Sequence, residues 1–185
     1  MLVKVVIPRY EHFDKEEKSR MSETLSATGL TIPHRKAIGL ASDHAGFPMK
    51  GFIRDVLANH CDEVIALGAT SEEPVDFPDV TRAAIDLILT GKVERVVLVC
   101  GTGAGACIAA NKIAGIRAAV AHDTYVARQC VEHDDVNVLC IGAWIVGSQI
   151  AADVTRAFLA AEFSTEPQFR RRVEKLAQMD RARGA

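Results

Sequence analysis

The chain has 185 residues, a formal net charge of −2, 49% hydrophobic and 25% charged residues, the make-up of an ordinary globular domain with one core. That near-neutral balance excludes a broad field for nucleic acid or acidic membrane, and no apolar run approaches the ~18 residues of a membrane helix. The 5 cysteines are scattered and form no CxxC pair, which argues against a disulfide framework or zinc site and fits a reducing cytoplasm.

Residues 1–34 stand apart. A short strand-like run at 3–7 precedes a charged run at 12–20 and a small, polar stretch at 21–31. Pro8, Arg9, Glu11 and His12 interrupt any secretory core early. The segment reads as an N-terminal extension or arm, lying on the domain or on a partner subunit. A single domain is expected over 35–185.

From Lys36 the pattern becomes regular. Strands are predicted at 37–41, 63–67, 96–99, 116–121 and 136–141. Helices are predicted at 47–59, 79–89, 106–112, 124–132 and 149–161, with a charged final helix at 167–183. Strands alternating with helices of about 10–15 residues mean βαβ units, so the expected fold class is α/β, a doubly wound three-layer sandwich around a five-stranded parallel sheet. Ligands of such sheets bind at the carboxyl ends of the strands. That rule selects Asp43 and His44, Gly68, Cys100 to Gly105, His122 and Asp123, and Gly142 to Trp144.

The stretch 95–112 concentrates the chemistry. Four β-branched or apolar residues run into Cys100, and Gly101, Thr102, Gly103, Ala104 and Gly105 follow before a helix. A strand, a glycine-rich turn and a helix start together make an anion cradle, here with a thiol at its rim. Cys100 reads either as a base or nucleophile or as a small apolar residue at a strand end. Gly101-x-Gly103-x-x-Ala106, with Asp123 some 20 residues on, also satisfies the loose dinucleotide fingerprint. Asp43 alone is an ordinary helix cap, and His133 alone is a histidine at a helix end.

Several spaced motifs carry more. They are Ser42-Asp43-His44-Ala45-Gly46-Phe47, Asp76-Phe77-Pro78-Asp79, Cys100-Gly101-Thr102-Gly103 through Ala109-Ala110-Asn111-Lys112, Gly115-Ile116-Arg117-Ala118-Ala119, Glu132-His133 and Asn137-Val138-Leu139-Cys140. In order and spacing the chain resembles, over about 36–176, the family of ribose-5-phosphate isomerase B and the galactose-6-phosphate isomerase subunits.

The resemblance implies aldose–ketose isomerisation of a sugar phosphate through an enediolate, with neither metal nor other cofactor. It implies Cys100 as the base, and Thr102 with the amides of Gly101, Gly103 and Gly105 as the oxyanion hole. His133 would open the sugar ring. Asp43 and His44 would contact the sugar, Arg172 the phosphate, and Asn111 and Asp134 are counted with the substrate-binding residues. These groups are expected to form one crescent at the strand ends. A homodimer or homotetramer with its site at the subunit interface is also implied.

The chain departs from the family at the far end of the substrate. Phe77 stands where tyrosine is usual and Asp134 where asparagine is. Trp144 replaces an arginine, and Gln168 and Phe169 replace an Arg-His pair. Arg117, Arg128 or Arg171 are candidate replacements for the lost cations, and Trp144 suits stacking on a sugar's apolar face. Those departures leave open a different or unphosphorylated sugar, beside a nucleotide-binding alternative.

Overall fold

Short apolar runs without a helical stripe become strands. β1 (Arg35–Ser42), β2 (Cys61–Gly68), β3 (Val96–Cys100), β4 (Ala118–Val120) and β5 (Val138–Gly142) form one sheet in the order β2-β1-β3-β5-β4, in a computed structural model that describes residues 31–183. All pairings are parallel. β3 and β5 lie inside the sheet and every residue of both is buried, as expected for a parallel sheet covered on both faces.

The helices are α1 (Phe47–Ala58), α2 (Phe77–Leu89), α3 (Ala104–Ala110), α4 (Thr124–Asp134), α5 (Ser148–Ala160) and α6 (Pro167–Arg183). Strand side chains alternate between faces. Ile38, Leu40, Val97, Val99, Leu139 and Ile141 meet α1, α4 and α5 through Phe52, Ile53, Leu57, Val131 and Phe158. On the other face Ala41, Val96, Leu98, Cys100, Val138 and Cys140 meet α2 and α3 through Ala84, Ile85, Leu87, Ala106 and Ala110. The doubly wound α/β sandwich is therefore present.

Element ends differ from the sequence-based expectation for local reasons. Pro48 and Pro78 occupy the first turns of α1 and α2, where a missing N–H costs nothing, so α2 starts at Phe77 rather than Asp79. Gly103 takes a left-handed φ of 82° as the N-cap of α3, so this helix spans Ala104–Ala110 instead of 106–112 and draws Gly105 into its first turn. β4 is shorter than expected because Ile116 closes a turn onto the carbonyl of Ile113.

The expected arm falls mostly on residues 1–30, outside the described residues. Of its end, Ile32 packs on the α1/α4/α5 face and His34 Nε2 lies 2.9 Å from Asp62 Oδ1. Among the described residues no helix is long and apolar enough to cross a membrane.

Candidate active site

The carboxyl edge of the sheet brings two strand ends into contact through one glycine. A Cβ on Gly46 would lie 2.0 Å from the carbonyl oxygen of Val99, a distance no side chain tolerates. Its absence lets the start of α1 press on the end of β3, one residue before Cys100. Asp43 and His44, which lead into α1, are thereby held at the same strand end as Cys100.

Asp43 is buried, and its Oδ1 accepts the Gly46 N–H at 2.8 Å. Gly46 itself is the N-cap of α1 and no side chain caps the helix, so Asp43 closes the turn before the helix rather than capping it. His44 Nδ1 accepts the Val75 N–H at 3.2 Å. A neutral His44 therefore carries its proton on Nε2.

Cys100 is buried at the end of β3, and its Sγ accepts the Gly103 N–H at 3.1 Å. Thr102 is exposed, and its Oγ1 accepts the Ala104 N–H at 3.3 Å. Two amides of the glycine-rich loop are thus turned onto the loop's own thiol and hydroxyl. The phenyl ring of Phe77 lies over Gly105, where a Cβ would approach it to 3.2 Å.

The loop after β5 is fastened to the same spot. Ala143 N donates to Cys100 O at 2.8 Å and Trp144 N to Gly101 O at 3.0 Å. The indole of Trp144 lies against Gly101, where a Cβ would meet it at 2.8 Å, yet the residue is 72% exposed. One indole face is packed on the loop and the rest is open. His122 joins this edge as a brace, its Nε2 accepting the Gly142 N–H at 3.1 Å.

The rest of the expected crescent lies elsewhere in this chain. α4 begins after the carboxyl end of β4 and returns the chain to the start of β5. Its eleven residues cover about 16 Å. His133, in its last turn, therefore sits at the amino edge of the sheet, across from Cys100. There its ring stacks on Phe169 of α6, centroids 3.9 Å apart at 15°, and the Arg172 guanidinium lies 5.6 Å from the other ring partner, Phe169. His133, Phe169 and Arg172 form a second cluster.

Asp134 is exposed and lines a cavity of about 380 Å³ with Arg117, Leu176, Met179 and Asp180. Asn111 borders the same cavity. Its amide clamps the backbone of Ala118, donating to the carbonyl at 2.8 Å and accepting the N–H at 2.9 Å. Both ends of that amide thus register the start of β4, and neither Asn111 nor Asp134 is beside Cys100 in one chain. Arg117 and Arg128, candidate replacements for the missing cations, are paired with Asp135 at 2.6 Å and Glu132 at 3.0 Å.

Two further groups escaped the sequence reading. Lys50 of α1 is 1% exposed, and burial lowers its pKa from 10.5 to about 8. Its signal was a lysine in line with the buried stripe of Phe52, Ile53, Val56 and Leu57. The Cys107 thiol is brought down to about 7, chiefly by a hydrogen bond from Cys140. Cys140 is fully buried and shifted upward by the same contact.

A family model described as Ribose/Galactose Isomerase matches residues 38–176. The chain is 36% identical over 148 residues to ribose-5-phosphate isomerase B of Escherichia coli, covering 80% of this chain and 99% of that one. It is 38% identical over 129 residues to a D-erythrulose-4-phosphate isomerase of Pectobacterium atrosepticum, covering 69% and 84%. The solved type B ribose 5-phosphate isomerase of Leishmania infantum superposes with a TM-score of 0.77 at 33% identity, covering 82% of this chain and 99% of that one.

Proposed function

The chain belongs to the ribose/galactose isomerase family, and from that premise we propose that it interconverts an aldose phosphate and a ketose phosphate of the ribose 5-phosphate type, with Cys100 as the base. Its residues 35–185 make the isomerase domain. One observation carries this reading: the Cys100 thiol stands at the carboxyl edge against the Gly103 amide, 3.1 Å away, with Asp43 and His44 held at the same strand end by the contact at Gly46.

In this reaction a proton moves between adjacent carbons through an enediolate. Cys100 takes it from the carbon beside the carbonyl and returns it to the neighbour. The hydroxyl of Thr102 and the remaining amides of the Gly101–Gly105 turn hold the oxygen that becomes negative. Asp43 and His44 Nε2–H bind sugar oxygens. His133 opens the ring.

His133 and Arg172 cannot reach Cys100 of their own chain, because they stand at the opposite end of the strands. A second copy supplies them, so the working unit is a homodimer or a pair of homodimers with the site at the subunit interface. Phe77, Trp144 and Ile145 leave an apolar rim around the carboxyl edge, 40%, 72% and 54% exposed, which suits such a contact.

A different sugar is the second reading, and Trp144 favours it. An uncharged indole stands on Gly101 where a phosphate-binding arginine is usual in the family, and a relative is named for a four-carbon substrate. The nucleotide alternative gains no support: Asp123, its ribose-binding candidate, accepts the Val126 N–H at 2.8 Å as the cap of α4.

Cys100→Ala tests the base. Isomerisation and the wash-in of solvent deuterium beside the carbonyl should both disappear, and near-normal turnover would remove Cys100 from the mechanism. A panel of four-, five- and six-carbon sugars, free and phosphorylated, decides the substrate.

A further inference from the structure

Lys50 is the one charged residue among the largest fully buried side chains, and among the described residues no carboxylate pairs with it. A methionine of similar length would bury there without the cost of desolvating a cation. What the ammonium does is specific. It donates to the carbonyls of Leu67, at 3.1 Å, and of Ala69.

Those carbonyls flank Gly68, where the chain turns out of β2 with a φ of 81° and where a Cβ would lie 2.3 Å from Ser42 O. Ala69 N also donates to Ser42 O at 2.8 Å. Lys50 thus pins the departure of the loop 70–76, whose residues are all exposed. At its far end this loop makes one contact with the site: Val75 N donates to His44 Nδ1.

We propose that Lys50 is a positioning residue for substrate binding: by pinning the carbonyls of Leu67 and Ala69 it sets the loop that delivers the Val75 N–H to His44, and so holds His44 in the tautomer that presents Nε2–H to the sugar. This rests on the reading of His44 as a substrate ligand. Asp76 anchors the far end of the loop at the start of α2, so without Lys50 its exit from β2 would rest on the Ala69–Ser42 bond alone, and a histidine that loses its Nδ1 donor is free to exchange tautomers. Charge is kept in the core because it bonds two diverging carbonyls at once, which an apolar side chain cannot do.

The test uses the full chain with 15N-labelled histidine, the His44 signals being assigned by their loss in His44→Asn. In the wild type His44 should show Nε2 protonated and Nδ1 accepting. Lys50→Met should average the two nitrogens and raise KM about five- to tenfold with kcat little changed. Val75→Pro, which removes the N–H and leaves Lys50 in place, should do the same, and it decides the relay if Lys50→Met fails to fold. Lys50→Gln, which keeps a donor, should restore part of the tautomer preference. Unchanged His44 signals in either Lys50→Met or Val75→Pro overturn the proposal. If the signals change while KM does not, and His44→Asn also leaves KM unchanged, the relay stands and the role of His44 as a ligand fails.

Discussion

The imidazole of His133 stacks on the ring of Phe169, 3.9 Å between centroids and 15° from parallel. The same phenyl ring carries the Arg172 guanidinium 5.6 Å from its centroid. Phe169 therefore organises two groups that the proposed reaction needs, one for ring opening and one for phosphate. It joins α4 to α6 at the amino edge, and it stands where the family usually carries histidine.

Phe169→Ala removes this support. Aromatic stacks contribute about 0.5–1.5 kcal/mol beyond buried area, so kcat/KM on the cyclic sugar should fall about 2- to 10-fold. Phe169→His, which keeps a flat ring, should recover most of the loss. Steady-state rates of the purified variants read the difference, and equal rates for Phe169→Ala and the wild type would make the stack purely structural.

Mixing two dead variants tests the shared site. Cys100→Ala keeps His133, and His133→Ala keeps Cys100. If each site draws on both chains, an equal mixture that exchanges subunits regains one intact site per mixed dimer, about a quarter of full activity. No recovery, with subunit exchange verified by a tag, would place both groups at work within one chain.

Trp144→Arg should shift specificity toward phosphorylated substrates. Hydrogen bonds to charged groups contribute about 1.5–3 kcal/mol, and arginine adds bidentate geometry. The ratio of kcat/KM between a sugar phosphate and its free sugar should rise at least about tenfold. An unchanged ratio would place the non-reacting end of the substrate away from Gly101.

Lys50 should give stability a rising alkaline limb. Its folded pKa, about 8, lies below the ordinary 10.5 because of burial. Below about 8 the proton is bound in both states, and between there and 10.5 the unfolded chain binds more, so stability rises with pH. Cys107, held at about 7 rather than 9.0, contributes with the same sign, so the comparison must be with Lys50→Met. Urea midpoints at about pH 7 and about pH 10 should move in favour of the wild type relative to the variant. A parallel shift in both proteins would assign the limb to other groups.

Much of the site was legible because its signals are local. Cys100, Gly101, Thr102 and Gly103 follow one another along the chain, and a strand, turn and helix start are read from neighbours. Asp43 and His44 likewise lie just past the first strand. Asn111 shares a motif with Cys100, but α3 carries it a helix length away to clamp Ala118. A lysine in a helix ordinarily faces water, and only the packing of α1 on the ends of β1 and β2 puts Lys50 inside.

Sequence alone determined the doubly wound sheet, the glycine-rich turn and the thiol at its rim, because apolar runs and glycine punctuation act over a few residues. Tertiary structure decided which of those residues meet. The crossover from β4 to the parallel β5 must return the chain to the amino edge, and that separates His133, with Arg172 of α6 gathered beside it through Phe169, from Cys100 by the length of the strands. The contacts of Trp144 with Gly101 and of Gly46 with Val99 arise in the same way, from strand order and helix packing between residues far apart in the chain, which no local pattern encodes.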